Sequence, residues 1–220
     1  MSLSSSPRVL AGGLVVLPPG GHGAPRGTIA LQYNPDTLSR SYQVQGVGGE
    51  GGGERAQPFR FKGPAVETLK LDAEIDATDQ LAEPERHPNT VAFGIAPQLA
   101  LLESLVQPGS AELIAHNALA AAGTLEILPP EAPLVLFVWG AQRVAPVRVT
   151  ECSVTEEAFD PALNPIRAKV SLGLRVLSTD DLGFAHKGGA LFLAHLQRRE
   201  RLAGVAGSAS LAALGIGNNF

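Results

Sequence analysis

The chain has 220 residues, enough for one large domain or a domain with appendages, and enough to bury a sizeable core. Its 17 Lys and Arg are outnumbered by 21 Asp and Glu, giving a formal net charge of -4 with the basic residues scattered, which excludes the electrostatic footprint of a nucleic-acid binder and a basic membrane-binding surface. The single cysteine, Cys152, excludes an intrachain disulfide framework and a multi-cysteine metal site and suits a reducing compartment, while 25 glycines, 17 prolines and few aromatics suit a turn-rich, mainly β protein.

Arg8 followed by Val9 to Leu17 reads as a first strand. A signal peptide fits poorly, because the apolar core is short, one arginine precedes it, no small-x-small cleavage site follows, and Pro18-Pro19-Gly20-Gly21 comes at once. No apolar run approaches the roughly 18 residues that span a bilayer, so the reading is a soluble chain, cytoplasmic where it is made, without direct membrane insertion. Thr28 to Tyr33 alternates Ile29, Leu31 and Tyr33 on one side and is stopped by Asn34-Pro35-Asp36. Leu38 to Val44 is a mixed, edge-exposed strand. Gly46, Gly48 and Gly51 formally match GxGxxG, but no helix follows, so residues 46–53 read as a flexible loop.

Val66 to Ala77 returns to period two, with Leu69, Leu71, Ala73 and Ile75 inward and Lys70, Asp72, Glu74 and Asp76 outward. Acids two apart on a strand stand roughly 6 to 7 Å apart and cannot close on one cation alone, so this is a solvated face. Residues 79–89 form a polar connector carrying His87. Two helices follow, one from Pro97 to Val106 and one from Ala111 to Ala122 capped by Ser110 and stopped by Gly123, giving a helical insertion at about 92–122.

Pro133 to Leu177 holds three further strands. Leu134 to Trp139 is continuously apolar and ends at Gly140; Val144, Val147 and Val149 open the second. In the third, Ile166, Ala168, Val170, Leu172, Leu174 and Val176 alternate with Arg167, Lys169, Ser171, Gly173 and Arg175, which assigns one apolar face, and Phe159 to Pro165 supplies the turn between. Leu191 to Leu202 has a helical period, and the small-residue stretch after it is either disordered alone or folds by docking on a partner. The division expected is 1–178 as a β-barrel or sandwich domain and 179–220 as a helix with a docking tail.

Catalytic constellations are missing from the sequence: no GxSxG, HExxH or Walker loop occurs. The five histidines, His22, His87, His116, His186 and His195, lack the i, i+4 spacing of paired ligands. Cys152 reads as a buried thiol, Trp139 as core packing, and Glu156 and Glu157 point to opposite faces of a strand, so no metal, cofactor or catalytic residue is assigned.

Three stretches in order carry a resemblance: Tyr33-Asn34-Pro35-Asp36-Thr37-Leu38, Phe137-Val138-Trp139-Gly140, and Glu157-Ala158-Phe159-Asp160-x-x-Leu163-Asn164-Pro165-Ile166-Arg167-Ala168-x-Val170. Together they resemble the tube-type domain of contractile injection systems over about residues 8 to 178, and are similar to baseplate proteins that join inner tube to spike hub. The resemblance implies a mainly β, antiparallel barrel or sandwich of phage tail-tube type with a short helical insertion. It also implies a non-enzymatic hexameric ring that initiates the tube on the hub and meets inner tube, baseplate and sheath proteins. Tyr33, Asn34, Pro35, Trp139, Gly140, Phe159, Asn164, Pro165 and Arg167 are then structural motif positions. No LysM signature follows Leu177, which leaves the sheath or baseplate contact to the tail. Two rivals stand beside this: a barrel holding a small apolar ligand between Trp139, Phe137 and Leu134, and an enzyme using Cys152 or the acidic strand.

Overall fold

The structure, a computed structural model, describes residues 10–31, 33–47, 59–123 and 131–206. Three long strands form its middle: β6 (Val66–Asp76), β8 (Val144–Phe159) and β9 (Pro165–Val176). The period-two pattern of β9 is realised, with Ala168, Val170, Leu172, Leu174 and Val176 all buried. Register carries this face across the sheet, since Leu174, Leu172 and Val170 pair with Leu69, Leu71 and Ala73 of β6. On the opposite face the charges meet one another. Arg167 lies 3.1 Å from Asp76, Lys169 2.6 Å from Glu157 and Lys70 3.8 Å from Glu151.

Adding β1 (Gly13–Leu17), β2 (Gly27–Ala30), β3 (Leu38–Gln43) and β7 (Leu134–Val138) makes a wholly antiparallel seven-stranded sheet in the order β2-β1-β7-β8-β9-β6-β3. Its apolar face encloses one core, which takes in Ile29 beside one edge and reaches Leu38 on the other. Twisted as strands are, the seven curl about this one core. Helices fill the concave side: α3 (Ala96–Glu103) contributes Leu99 and Leu102, and α6 (Lys187–Val205) contributes Phe192.

Several expectations change. The first strand begins at Gly13, and Leu10 ahead of it is exposed. β2 stops at Ala30, so Tyr33 does not extend the inner face beyond Leu31 and is half exposed. Of the glycine loop, Gly46–Val47 is β4 and pairs with β5 (Arg60–Phe61); residues 48–58 lie outside the described residues. The polar connector contains α1 (Thr78–Leu81) and α2 (Pro88–Phe93), so the helical insertion starts earlier than position 92. The next helix, α4 (Ser110–Ala121), is capped at Gly109 instead of Ser110, with the Glu112 carboxylate accepting from the Gly109 N–H at 3.1 Å. β7 stops one residue short of Trp139.

The carboxyl-terminal helix runs from Lys187 and is preceded by α5 (Thr179–Leu182). The His186 Nδ1 accepts from the Gly188 N–H at 3.0 Å and caps it. Its Phe192 and His195 are buried, so this part of the chain is anchored on the sheet. The docking tail beyond 206 lies outside the described residues.

Candidate functional site

Two of the three motif stretches meet at one junction. The Asn34 side chain accepts from the Gly12 N–H at 2.8 Å and donates to the Leu10 carbonyl at 2.8 Å, tying the segment before β1 to the end of β2. Gly12 is where Trp139 lies: a Cβ there would come within 2.5 Å of the indole. The indole in turn stacks on Phe137, with ring centres 5.9 Å apart. Gly140, at φ 71°, makes the left-handed step that lets the Trp139 N–H reach the Arg143 carbonyl at 2.8 Å and closes the β7–β8 turn. Tyr33 and Pro35 flank the Asn34 clamp.

The third stretch builds a second junction, at the other end of the sheet. Asp160 Oδ1 accepts from the Ala162 and Asn164 N–H groups at 2.8 Å each, and Asn164 donates to Asp160 Oδ2 at 2.8 Å and to the Ala92 carbonyl at 3.3 Å. These bonds hold Leu163 at φ 65° and hold the carboxyl of Asp160 below the usual carboxylate range. The Pro165 carbonyl then accepts from Ile95 N–H at 2.8 Å. Gly94, at φ 58°, would place a Cβ 2.0 Å from that carbonyl, so only glycine lets the helical insertion approach the hairpin. Arg167 braces the same end through Asp76, whose carboxyl is lowered chiefly by the Thr78 hydroxyl and N–H. Phe159, at the end of β8, is half exposed.

A third constellation escaped the sequence reading. Glu67 lies on the inward parity of β6 and is 5% exposed, although the residues after it on that face are apolar. The Tyr42 hydroxyl donates to its Oε1 at 2.8 Å, and Arg199 of α6 donates to its Oε2 at 2.8 Å. Arg40 reaches the same hydroxyl at 3.4 Å, and the Arg199 guanidinium sits 5.0 Å from the Tyr42 ring centre. Burial, and then the bond to Glu67, pushes the Tyr42 phenol up. His195 Nε2 lies 4.0 Å from Glu67, and neither ring nitrogen has a hydrogen-bond partner. The only signal in sequence was parity, an acid two residues before Leu69.

The remaining candidates stay apart. Phe137 and Trp139 share one face of β7 and Leu134 takes the other, so the three line no common cavity. Cys152 is half-buried, and burial together with the nearby Glu103 raises its thiol, which weakens it as a nucleophile. Among the described residues no group of three His, Cys, Asp or Glu could hold a metal ion, and no helix is long and apolar enough to cross a membrane.

Residues 19–184 match the family described as contractile injection system tube protein. The chain belongs to that family. It is a structural component of a phage-tail-like particle. The matched tube-family stretch contains Asn34, Trp139, Asn164 and Glu67, and it ends before α6, which supplies Arg199 and His195. No curated protein matches this tube-family chain. Among solved structures it is similar to a chain in the tail of an empty GTA particle, computed with helical refinement and C6 symmetry. That likeness is at 12% identity and TM-score 0.31, covering 74% of this chain and 90% of that one.

Proposed function

We propose that the chain forms a hexameric ring that joins the spike hub to the inner tube and contacts baseplate and sheath, with residues 1–178 as the ring-forming body and 179–220 as its docking extension. One observation carries this reading. Besides the outer edge of β2, the curled sheet leaves two margins unpaired among the described residues: β3, and the distal half of β8 from Val149 onward, where the β7 ladder has already ended at Val147. Between them stand four strands, β8-β9-β6-β3, each antiparallel to the next. An even number of alternating strands leaves the two margins pointing in opposite directions. A second copy rotated about an axis along the strands therefore brings its β8 beside β3 as an antiparallel neighbour, and the operation repeats until the ring closes.

The outward face of these four strands is suited to a channel wall, because Lys70, Arg167 and Lys169 on it are compensated by acids on adjacent strands. Ring closure also removes two open edges, which would otherwise invite indiscriminate pairing.

Particles purified through a tag on this chain and imaged by cryo-electron microscopy test the reading. The expected result is one ring of this chain between hub and tube, with β3 against the β8 of the next copy. A chain found along the whole tube, or only outside the particles, defeats it.

A further inference from the structure

Beyond the ring, and without needing it, we infer that Arg40, Arg143, Arg198 and Arg199 form a carboxylate-binding site that docks an acidic segment of a partner protein. These side chains come from β3, the β7–β8 turn and α6, and share one internal carboxylate, Glu67. Arg199 donates to its Oε2 at 2.8 Å, and Arg40 reaches the Tyr42 hydroxyl, which itself donates to Oε1. Arg143 lies within the electrostatic reach of Arg40, Arg199, Tyr42 and Glu67. Arg143 and Arg198 both act on His195, which stands 4.0 Å from Glu67.

Positive charge is in excess at this point. Four guanidinium groups carry roughly twenty N–H donors. Among the described residues the acceptors they find are the Tyr42 hydroxyl and Glu67 Oε2 alone. The shortfall falls on groups withdrawn from water. Arg198 Nη1 is buried without a hydrogen-bond partner, and so are both ring nitrogens of His195. Arg143 is half-buried with no ion pair or side-chain hydrogen bond among the described residues, and burial, then Arg40, works against its charge. Glu200, the neighbouring acid on α6, is exposed and makes no ion pair among the described residues. A desolvated guanidinium without an anion is unfavourable, and an added carboxylate relieves it by accepting two parallel N–H bonds from one fork.

Glu67 shows which anion this environment accepts: a carboxylate between a phenol and a guanidinium, with Arg199 5.0 Å from the centre of the Tyr42 ring. Arg40 and Tyr42 are exposed along an edge strand and leave a shelf open to a long ligand, which suits a polypeptide. An acidic segment supplies more than one carboxylate and so answers cations spread from β3 to α6. Arg40 pairs in register with buried Leu69, so in the proposed ring the cluster lies on the side of the sheet opposite the channel wall, and the segment arrives from the particle's outer side.

Fluorescence anisotropy of labelled hexaglutamate titrated with the full chain tests the site. Saturable binding is expected, weakened about tenfold in Arg40→Gln and in Arg143→Gln, the worth of one charge-assisted hydrogen bond. Arg40→Lys, which keeps the charge but loses the fork, falls between. Arg148→Gln removes an exposed arginine from the other face of the sheet, where it pairs in register with Arg175, and is expected to bind as the parent does. Thermal melts matching the parent show that each variant folds. No binding by the parent, undiminished binding by both Gln variants at Arg40 and Arg143, equal weakening in Arg148→Gln, or displacement of the peptide by equimolar inorganic phosphate overturns the site. Since the free copy is what binds, any of these leaves the ring reading standing. A chain that binds the peptide but forms no ring in particles loses the ring and keeps the site.

Discussion

Asn34 uses its amide at both ends, and that is why a turn residue appears as a motif. Its carbonyl oxygen satisfies Gly12 N–H and its NH2 the Leu10 carbonyl, two backbone groups with no strand partner. Asn34→Ala is expected to cost about 1 to 2 kcal/mol, the range for losing hydrogen bonds while leaving a partly buried donor unmet, measured by urea denaturation. Asn34→Asp, which keeps only the acceptor, should fall between. Gly94 is stricter, since left-handed backbone and contact with the Pro165 carbonyl act together. Gly94→Ala should displace the helical insertion from the hairpin and destabilise the chain by more than about 1 kcal/mol, read as a loss of amide protection at Ile95.

At the scale of elements, α6 shows how a helix with a mixed face becomes part of the core. Phe192 is 6% exposed, so Phe192→Ala should cost about 3 kcal/mol or more through lost contacts and the cavity left behind, visible as a lower denaturation midpoint. The next turn brings His195 beside Glu67. Burial holds the imidazole below its usual 6.5, and Arg199, Arg198 and Arg143 act in the same direction against the pull of Glu67. The unfolded chain therefore binds this proton more readily than the folded one. Stability from the neutral ring is complete above pH 6.5 and is lost as pH falls from there through the lower folded value. Midpoints measured across that window should decline in the parent and decline less in His195→Leu; equal slopes would assign the acid sensitivity elsewhere.

For the whole molecule, the decisive property is that a sheet able to curl round one core does not pair its own margins among the described residues. A closed barrel would need nothing more. Four alternating strands with free edges of opposite direction repeat under rotation, which gives the monomer geometry its consequence for assembly.

Much of this was legible in the residues. Period-two alternation from Ile166 to Val176 and from Leu69 to Ala73 determined which face of each strand is buried, because a strand has only two faces and one was apolar. Proline and glycine punctuation located the turns at 34–36, 140 and 160–165, since those residues restrict or permit backbone conformations locally. Tertiary structure alone decided the rest. Glu67 obeys the inward parity but is polar, and nothing local says that Tyr42 and Arg199 will meet it, from 25 and 132 residues away. Likewise, the need for glycine at 12 and 94 arises from an indole and a carbonyl brought from distant strands. Local pattern sets the faces of each element, whereas long-range contact sets which charges are matched and which edges stay open.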